Sequence, residues 1–182
     1  MSTDQANEVL HFWFAELSRQ QWFVVSPELD AVIGDRFGAL HLALARGDVE
    51  AWRDTPERRL AAIIVLDQLS RNIYRGTPLA FAADWIALRE ARLAVEAGAD
   101  QAVAANRKAF FYLPFEHSEA LADQERSVEL FGALGDADYL DYAERHLAVI
   151  REFGRFPHRN RLLGRESTSA ELDYLSKPGA GF

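Results

Sequence analysis

Polar side chains that could do chemistry stand at three places in otherwise apolar parts of this sequence. At the first, residues 67–76, Asp67 follows seven apolar residues, and Arg71 and Arg75 come four and eight residues later. That spacing places the three side chains along one helix face. Burying a lone carboxylate is costly, so Asp67 is expected either to pair internally with Arg71 or to orient Arg71, Asn72 and Arg75 toward a bound anion.

The second place, residues 114–119, follows an aromatic run. His117 and Glu119 are predicted to lie at the start of a helix, where Ser118 can act as the cap and the helix dipole favours acidic side chains. In the alternative interpretation, His117 and Glu119 form a histidine–carboxylate pair that transfers protons or binds a metal.

The third place, residues 151–165, carries five Arg and one Glu, a local charge of +4 in a chain whose net charge is −8. Residues 155–167 show no helical periodicity and are expected to form an ordered loop. The interleaved apolar side chains at 153, 156, 162 and 163 are expected to hold it on the body of the protein. The Arg side chains then either bind an anion or anchor the loop to helix carbonyls. The candidate residues are Arg155, His158, Arg159, Asn160 and Arg165.

Composition excludes several classes of protein. The chain has no Cys, which rules out disulfides, thiolate metal sites and a cysteine nucleophile. The 28 acidic residues outnumber the 20 basic ones, which argues against a nucleic-acid partner. Glu8 and His11 match half of a di-iron motif, but its second half is absent. The sequence has neither a metal-binding motif of the His-Glu-x-x-His or EF-hand type nor a nucleotide-binding loop, so it predicts no metal and no cofactor.

The elements that position these residues are predicted to be helices. Ala and Leu number 51 against 20 for Val, Ile and Thr, a ratio that favours helix over strand. Cap-and-proline pairs at 26–27, 55–56 and 77–78 begin helices, and Pro114 is expected to end one. The sequence therefore predicts about seven to eight helices in antiparallel pairs, forming a single all-α domain over residues 1–182. Its core is expected to include Trp13, Trp22, Trp52 and Trp85.

No membrane or targeting segment is expected. The first eight residues are polar and acidic, and the longest apolar runs have seven residues, against about 18 needed to span a bilayer. The predicted location is the cytoplasm, without a membrane partner.

Four blocks of this sequence resemble a bacterial family of all-helical proteins, domain-of-unknown-function family 924. The first two blocks are residues 66–78 and 80–84, the third is 112–119 with 123–126, and the fourth is 153–160 through 164–168. Together they include all three polar places. The resemblance implies a tetratricopeptide-like helical fold and no particular activity. It also indicates that the polar residues form one unit.

Three functions remain open from the sequence. The first is a small-molecule site, catalytic or not, in which arginines hold a phosphate or carboxylate and His117, Glu119 or His158 moves a proton. The second is a helical module that uses the same arginines to bind an acidic peptide. In the third, the polar residues only fix the packing of the helices.

Overall fold

The protein consists of helices connected by short turns. The computed structural model describes residues 2–181, with side chains from Asp4 onward; Met1 and Phe182, the ends of the predicted domain, lie outside the described residues. The α-helices are α1 (Ser2–His11), α2 (Pro27–Ala45), α3 (Pro56–Ile64), α4 (Ser70–Ile73), α5 (Asp84–Glu96), α6 (Ala105–Glu116), α7 (Leu121–Leu134), α8 (Ala137–Phe153) and α9 (Ser169–Leu175). Residues 2–181 contain no strand, which confirms the all-α prediction.

Helix boundaries follow the local signals in the sequence. The hydroxyls of Ser26 and Thr55 accept hydrogen bonds from backbone N–H groups in the first turns of α2 and α3, both at 3.2 Å. Asp136 caps α8 in the same way, and α8 ends at Gly154, whose φ of 68° lies in the left-handed region that favours glycine. These caps fix where the helices begin and end.

The centre of the molecule is α3 together with the turn that follows it. Residues 60–66 are at most 1% exposed, and α3 packs against α1, α5 and α6. Because residues 60–66 are seven consecutive apolar residues, this stretch has no polar side to expose to water and is buried all round. The π turn Val65–Leu69 joins α3 to α4 and packs against α2 and α5. This turn carries Asp67 into the interior.

Three features differ from the prediction. Pro114 does not end α6, which continues to Glu116. Burial of the apolar run at residues 109–115 offsets the hydrogen bond that proline cannot make. His117 therefore ends α6, and the next helix starts only at Leu121, so the predicted helix start at His117 is wrong. The single helix expected after Thr77 is instead a 3₁₀ turn followed by α5.

Trp85 is a further correction, because this predicted core residue is 64% exposed and lies against the guanidinium of Arg89. Trp13 and Trp52 are buried as expected. The partly buried Trp22 packs against the core. Across residues 2–181, the helices are too short or too polar to cross a bilayer.

Candidate functional site

A cleft of about 690 Å³ opens where the end of α6 meets α4, α8 and the loop that follows α8. This volume lies within the range of small-molecule sites. Polar side chains at the cleft include Gln68, Arg71, Glu116, His117, His146, His158 and Arg159. Aromatic side chains at its walls are Trp22, Phe23, Phe81, Tyr139 and Tyr142.

His117 is oriented by a buried carboxylate. Asp67, 1% exposed, lies with Oδ1 at 2.7 Å from Nδ1 of His117, and its Oδ2 accepts a hydrogen bond from Gln68 at 2.6 Å. Burial alone would raise the pKa of Asp67, but the adjacent His117 and Arg71 hold that pKa well below its usual range. The ionised carboxylate fixes the proton of His117 on Nδ1, which leaves Nε2 as the nitrogen that can accept a proton.

The neutral form of His117 is the favoured one. Burial and the nearby Arg71 guanidinium lower the pKa of His117, and they outweigh the opposing effect of Asp67. At neutral pH the ring is therefore an uncharged base, held by a carboxylate. Histidine–carboxylate pairs of this kind serve as general bases in enzymes.

Arg71 is held from two sides. It donates to both carboxylate oxygens of Asp84 at 3.1 Å and lies 3.3 Å from Oδ1 of Asp67. A further hydrogen bond from Arg71 reaches the carbonyl of Asp67 one turn earlier. Burial lowers the pKa of Arg71, but the two carboxylates outweigh burial and raise it. The internal pair expected between Asp67 and Arg71 is therefore present, and Arg71 also lines the cleft.

Arg159 is less well satisfied. It is 7% exposed, lies between the rings of Phe81 and Phe156 at 4.8 and 4.5 Å, and donates from Nη1 to the carbonyl of His117 at 3.1 Å. Its Nη1 is 3.5 Å from Asp84, a carboxylate that Arg71 already holds. The buried Nε has no acceptor within the described part of the chain. Burial and the nearby Arg71 lower the pKa of Arg159 to about 10, so it stays charged at neutral pH.

Glu116 and His146 form a second, different carboxyl–histidine pair. Oε1 of Glu116 is 3.4 Å from Nδ1 of His146, which also donates to the carbonyl of Tyr142 at 2.8 Å. Burial, with a contribution from the charge of Asp67, raises the pKa of Glu116 to about 8. Burial lowers the pKa of His146 to about 3. Both groups are therefore uncharged at neutral pH, in contrast to the ionised Asp67 beside His117.

The other predicted residues of the loop after α8 form internal pairs instead. Arg165 holds both carboxylate oxygens of Glu119 at 2.7 and 2.9 Å, and also donates to the side chain of Asn160 at 2.8 Å. Arg155 holds both carboxylate oxygens of Glu171 at 2.6 and 2.8 Å. Burial alone would raise the pKa of Glu119, but the hydrogen bonds and charge of Arg165 outweigh burial and lower that pKa. These groups fix the loop and do not line the cleft.

Two more predicted residues lie at the rim of the cleft with their polar groups already engaged. Arg75 donates to both carboxylate oxygens of Asp30 at 2.6 and 3.0 Å, and Asn72 donates to the same carboxylate at 2.8 Å. The structure thus separates the predicted site residues into two groups. Arg71, His117, His158 and Arg159 line the cleft, and the buried Asp67 contacts His117 and Arg71 from the interior. The other group, Arg155, Asn160, Arg165 and Glu119, holds the loop in place.

Glu116 and His146 were not among the site residues predicted from the sequence. Glu116 directly follows the apolar run at 109–115, the same signal that singled out Asp67 after residues 60–66. His146 lies next to Leu147 on the buried face of α8. A polar residue on an otherwise apolar helix face was therefore the available signal for both. Within residues 2–181, no set of three side chains has the arrangement to hold a metal ion.

The fold and the cleft define an all-helical protein with a polar, small-molecule-sized cavity. Residues 9–179 match the family described as bacterial proteins of unknown function (DUF924), and the chain belongs to that family. A solved structure of a protein of unknown function from Agrobacterium tumefaciens is similar, with 39% sequence identity and a TM-score of 0.93, over 97% of this chain and 99% of that one. No curated protein matches the chain.

Proposed function

We propose that this protein binds a small anionic molecule, a phosphate or carboxylate compound, in the cleft at the end of α6. The observation that carries the proposal is Arg159, a buried guanidinium at the cleft whose Nε has no acceptor within the described residues. A buried donor without a partner costs free energy, and more when it is charged. A bound anion supplies the missing acceptor.

The surroundings of Arg159 suit such a ligand. Phe81 and Phe156 hold its guanidinium plane in place. Because the carbonyl of His117 already accepts from Nη1, Nε is the donor left for an oxygen of a carboxylate or phosphate. Arg71 adds a second positive charge at the same cleft. The aromatic side chains at the walls offer an apolar contact for the remainder of the ligand.

The size of the cavity favours this proposal over a peptide-binding module. A volume of about 690 Å³ suits a metabolite-sized molecule. Arg155 and Arg165 use their donors in pairs with Glu171 and Glu119. The Nε of the buried Arg58 also lacks an acceptor within the described residues, but of Arg58 and Arg159 only Arg159 lines the cleft.

The test is a binding titration with inorganic phosphate, acetate and benzoate, followed by thermal unfolding and calorimetry. Binding at about 100 times Kd stabilises the folded state by about 2.7 kcal/mol, which raises the Tm by about 5–10 °C for a chain of this size. Arg159→Lys keeps the charge but removes the fork and Nε, so the affinity is expected to fall about tenfold or more.

Arg58→Lys is the matched control. Arg58 is a buried arginine that lies over the ring of Trp52 and pairs with Asp54, and it does not line the cleft. Its replacement is expected to leave the affinity unchanged. Absence of binding by all three anions, or an equal loss of affinity in both variants, would overturn the proposal.

A further inference from the structure

We infer that the cleft catalyses a proton transfer on the anion it binds, with His117 as general base and Glu116 as general acid in the keto–enol interconversion of a small 2-oxo acid. The inference rests on the proposed anion site, because Arg159 binds the carboxylate of the 2-oxo acid. What it adds is a role for Glu116, a buried side chain to which neither the family description nor the similar structure assigns one.

Geometry supports His117 as the base. Its Nδ1 is held by Asp67 at 2.7 Å, so the free lone pair of the neutral ring is on Nε2. The ring belongs to the residue that caps the C-terminus of the largely buried helix α6, and it lines the cleft. Asp67 acts here as a positioning residue, because it fixes the tautomer and the orientation of the ring.

Geometry also supports Glu116 as the acid. It is the residue before His117, lines the same cleft and is 4% exposed. Its Oε2 has no hydrogen-bond partner within the described residues, and Oε1 approaches the uncharged His146. Glu116 is buried near the negative charge of Asp67, and these two effects raise its pKa to about 8. Glu116 therefore keeps its proton at neutral pH. A protonated carboxyl can donate to a carbonyl oxygen.

The three groups match three parts of one class of substrate. The guanidinium of Arg159 suits a carboxylate, the O–H of Glu116 suits the oxygen of the adjacent ketone, and Nε2 of His117 suits a proton on the carbon beyond that ketone. A small carboxylate with a neighbouring carbonyl is a 2-oxo acid. The aromatic walls favour a substrate with an apolar or aryl substituent on that carbon.

The step balances without a cofactor. His117 removes the proton from carbon, and the electrons of that C–H bond form the C=C bond of the enol. The carbonyl π electrons move to oxygen, which takes the proton of Glu116. His117 is then protonated and Glu116 ionised, and the reverse reaction restores both. In D₂O the base returns deuterium to the carbon, so turnover appears as loss of the C–H signal.

The test follows the proton NMR signals of pyruvate, 2-oxobutyrate and phenylpyruvate in D₂O with the full chain, after subtraction of the exchange in buffer alone. The wild-type protein is expected to accelerate exchange, and His117→Gln or Glu116→Gln to slow it by about 100-fold, a typical share of acid–base catalysis. His41→Gln, at a buried histidine that does not line the cleft, is the control expected to exchange like wild type.

The pH profile separates an acid from a merely structural residue. Wild-type exchange is expected to fall as the pH rises past about 8, where Glu116 loses its proton, whereas the residual rate of Glu116→Gln should show no such fall. Binding of the same oxo acids without accelerated exchange would overturn the inference and leave the anion site standing. Lack of oxo-acid binding together with binding of phosphate or benzoate would do the same. Failure of every anion to bind would remove both.

Discussion

Replacement of Glu116 by Gln tests whether this buried carboxyl is protonated in the folded protein. Gln has nearly the same shape and cannot ionise. In the folded state burial raises the pKa of Glu116 from 4.5 to about 8, whereas in the unfolded chain the group returns to its ordinary value. Between these two pH values Glu116 therefore binds more protons in the folded state than in the unfolded state, and its contribution to the stability of the wild-type protein falls as the pH rises.

The size of the effect follows from the two pKa values. Ionisation of the unfolded state lowers the stability of the wild-type protein by about 1 kcal/mol at pH 5 and by about 3 kcal/mol at pH 7. Glu116→Gln removes this penalty. The unfolding free energy of the variant, relative to wild type, is therefore expected to increase by about 2 kcal/mol from pH 5 to pH 7. For a chain of this size the corresponding change in relative Tm is about 4–8 °C.

Urea denaturation of the wild-type protein and of Glu116→Gln at pH 5, 6 and 7 measures this difference in unfolding free energy. The contributions of the other titrating groups are nearly the same in both proteins and largely cancel. Glu90→Gln is the matched control, because Glu90 is equally buried but Arg53 and Arg89 outweigh burial and lower its pKa. Its replacement is expected to destabilise the protein by nearly the same amount at pH 5 and pH 7. If the difference in unfolding free energy between wild type and Glu116→Gln also stays constant from pH 5 to pH 7, Glu116 is not protonated in the folded protein.

Two further substitutions test the neighbouring groups. Asp67→Asn removes the carboxylate charge that the buried His117 and Arg71 share, and is expected to lower the unfolding free energy by about 3 kcal/mol. Because folding lowers the pKa of Asp67, its stabilising effect is complete at pH 5–7 and decreases as the carboxylate becomes protonated. Urea denaturation should therefore show the full loss of stability at pH 5–7 and a smaller loss below pH 4. Arg165→Ala leaves the carboxylate of Glu119 unpaired, at a cost of about 2 kcal/mol, and should speed proteolysis at residues 155–168 without changing phosphate affinity. An unchanged pH dependence in the first case, or weakened phosphate binding in the second, would contradict these assignments.

Local sequence signals determined most of the helix boundaries. The caps at Ser26, Thr55 and Asp136 act within one turn of their own position, so they can be identified without knowledge of the fold. Pro114 shows the limit of such signals. Its cost is local, but the burial that offsets it comes from neighbouring helices distant in sequence.

The site was only partly predictable for the same reason. An acidic residue directly after an apolar run identified Asp67 as buried, and its pairing with Arg71 is a contact between residues four apart. The sequence also predicted an ordered loop over residues 155–167, which carry several of these arginines. It could not distinguish Arg159, which faces the cleft, from Arg155 and Arg165, which pair with acids.

The sequence by itself thus determined an all-helical chain with polar residues placed on apolar faces, because periodicity and caps are short-range properties of the backbone. Only the tertiary structure decided which of those residues share a cleft. The hydrogen bond between Asp67 and His117 joins residues 50 positions apart, and that between Arg159 and His117 joins residues 42 apart. The protonation states of His117 and Glu116 likewise follow from burial and neighbouring charge, which exist only once the helices have packed.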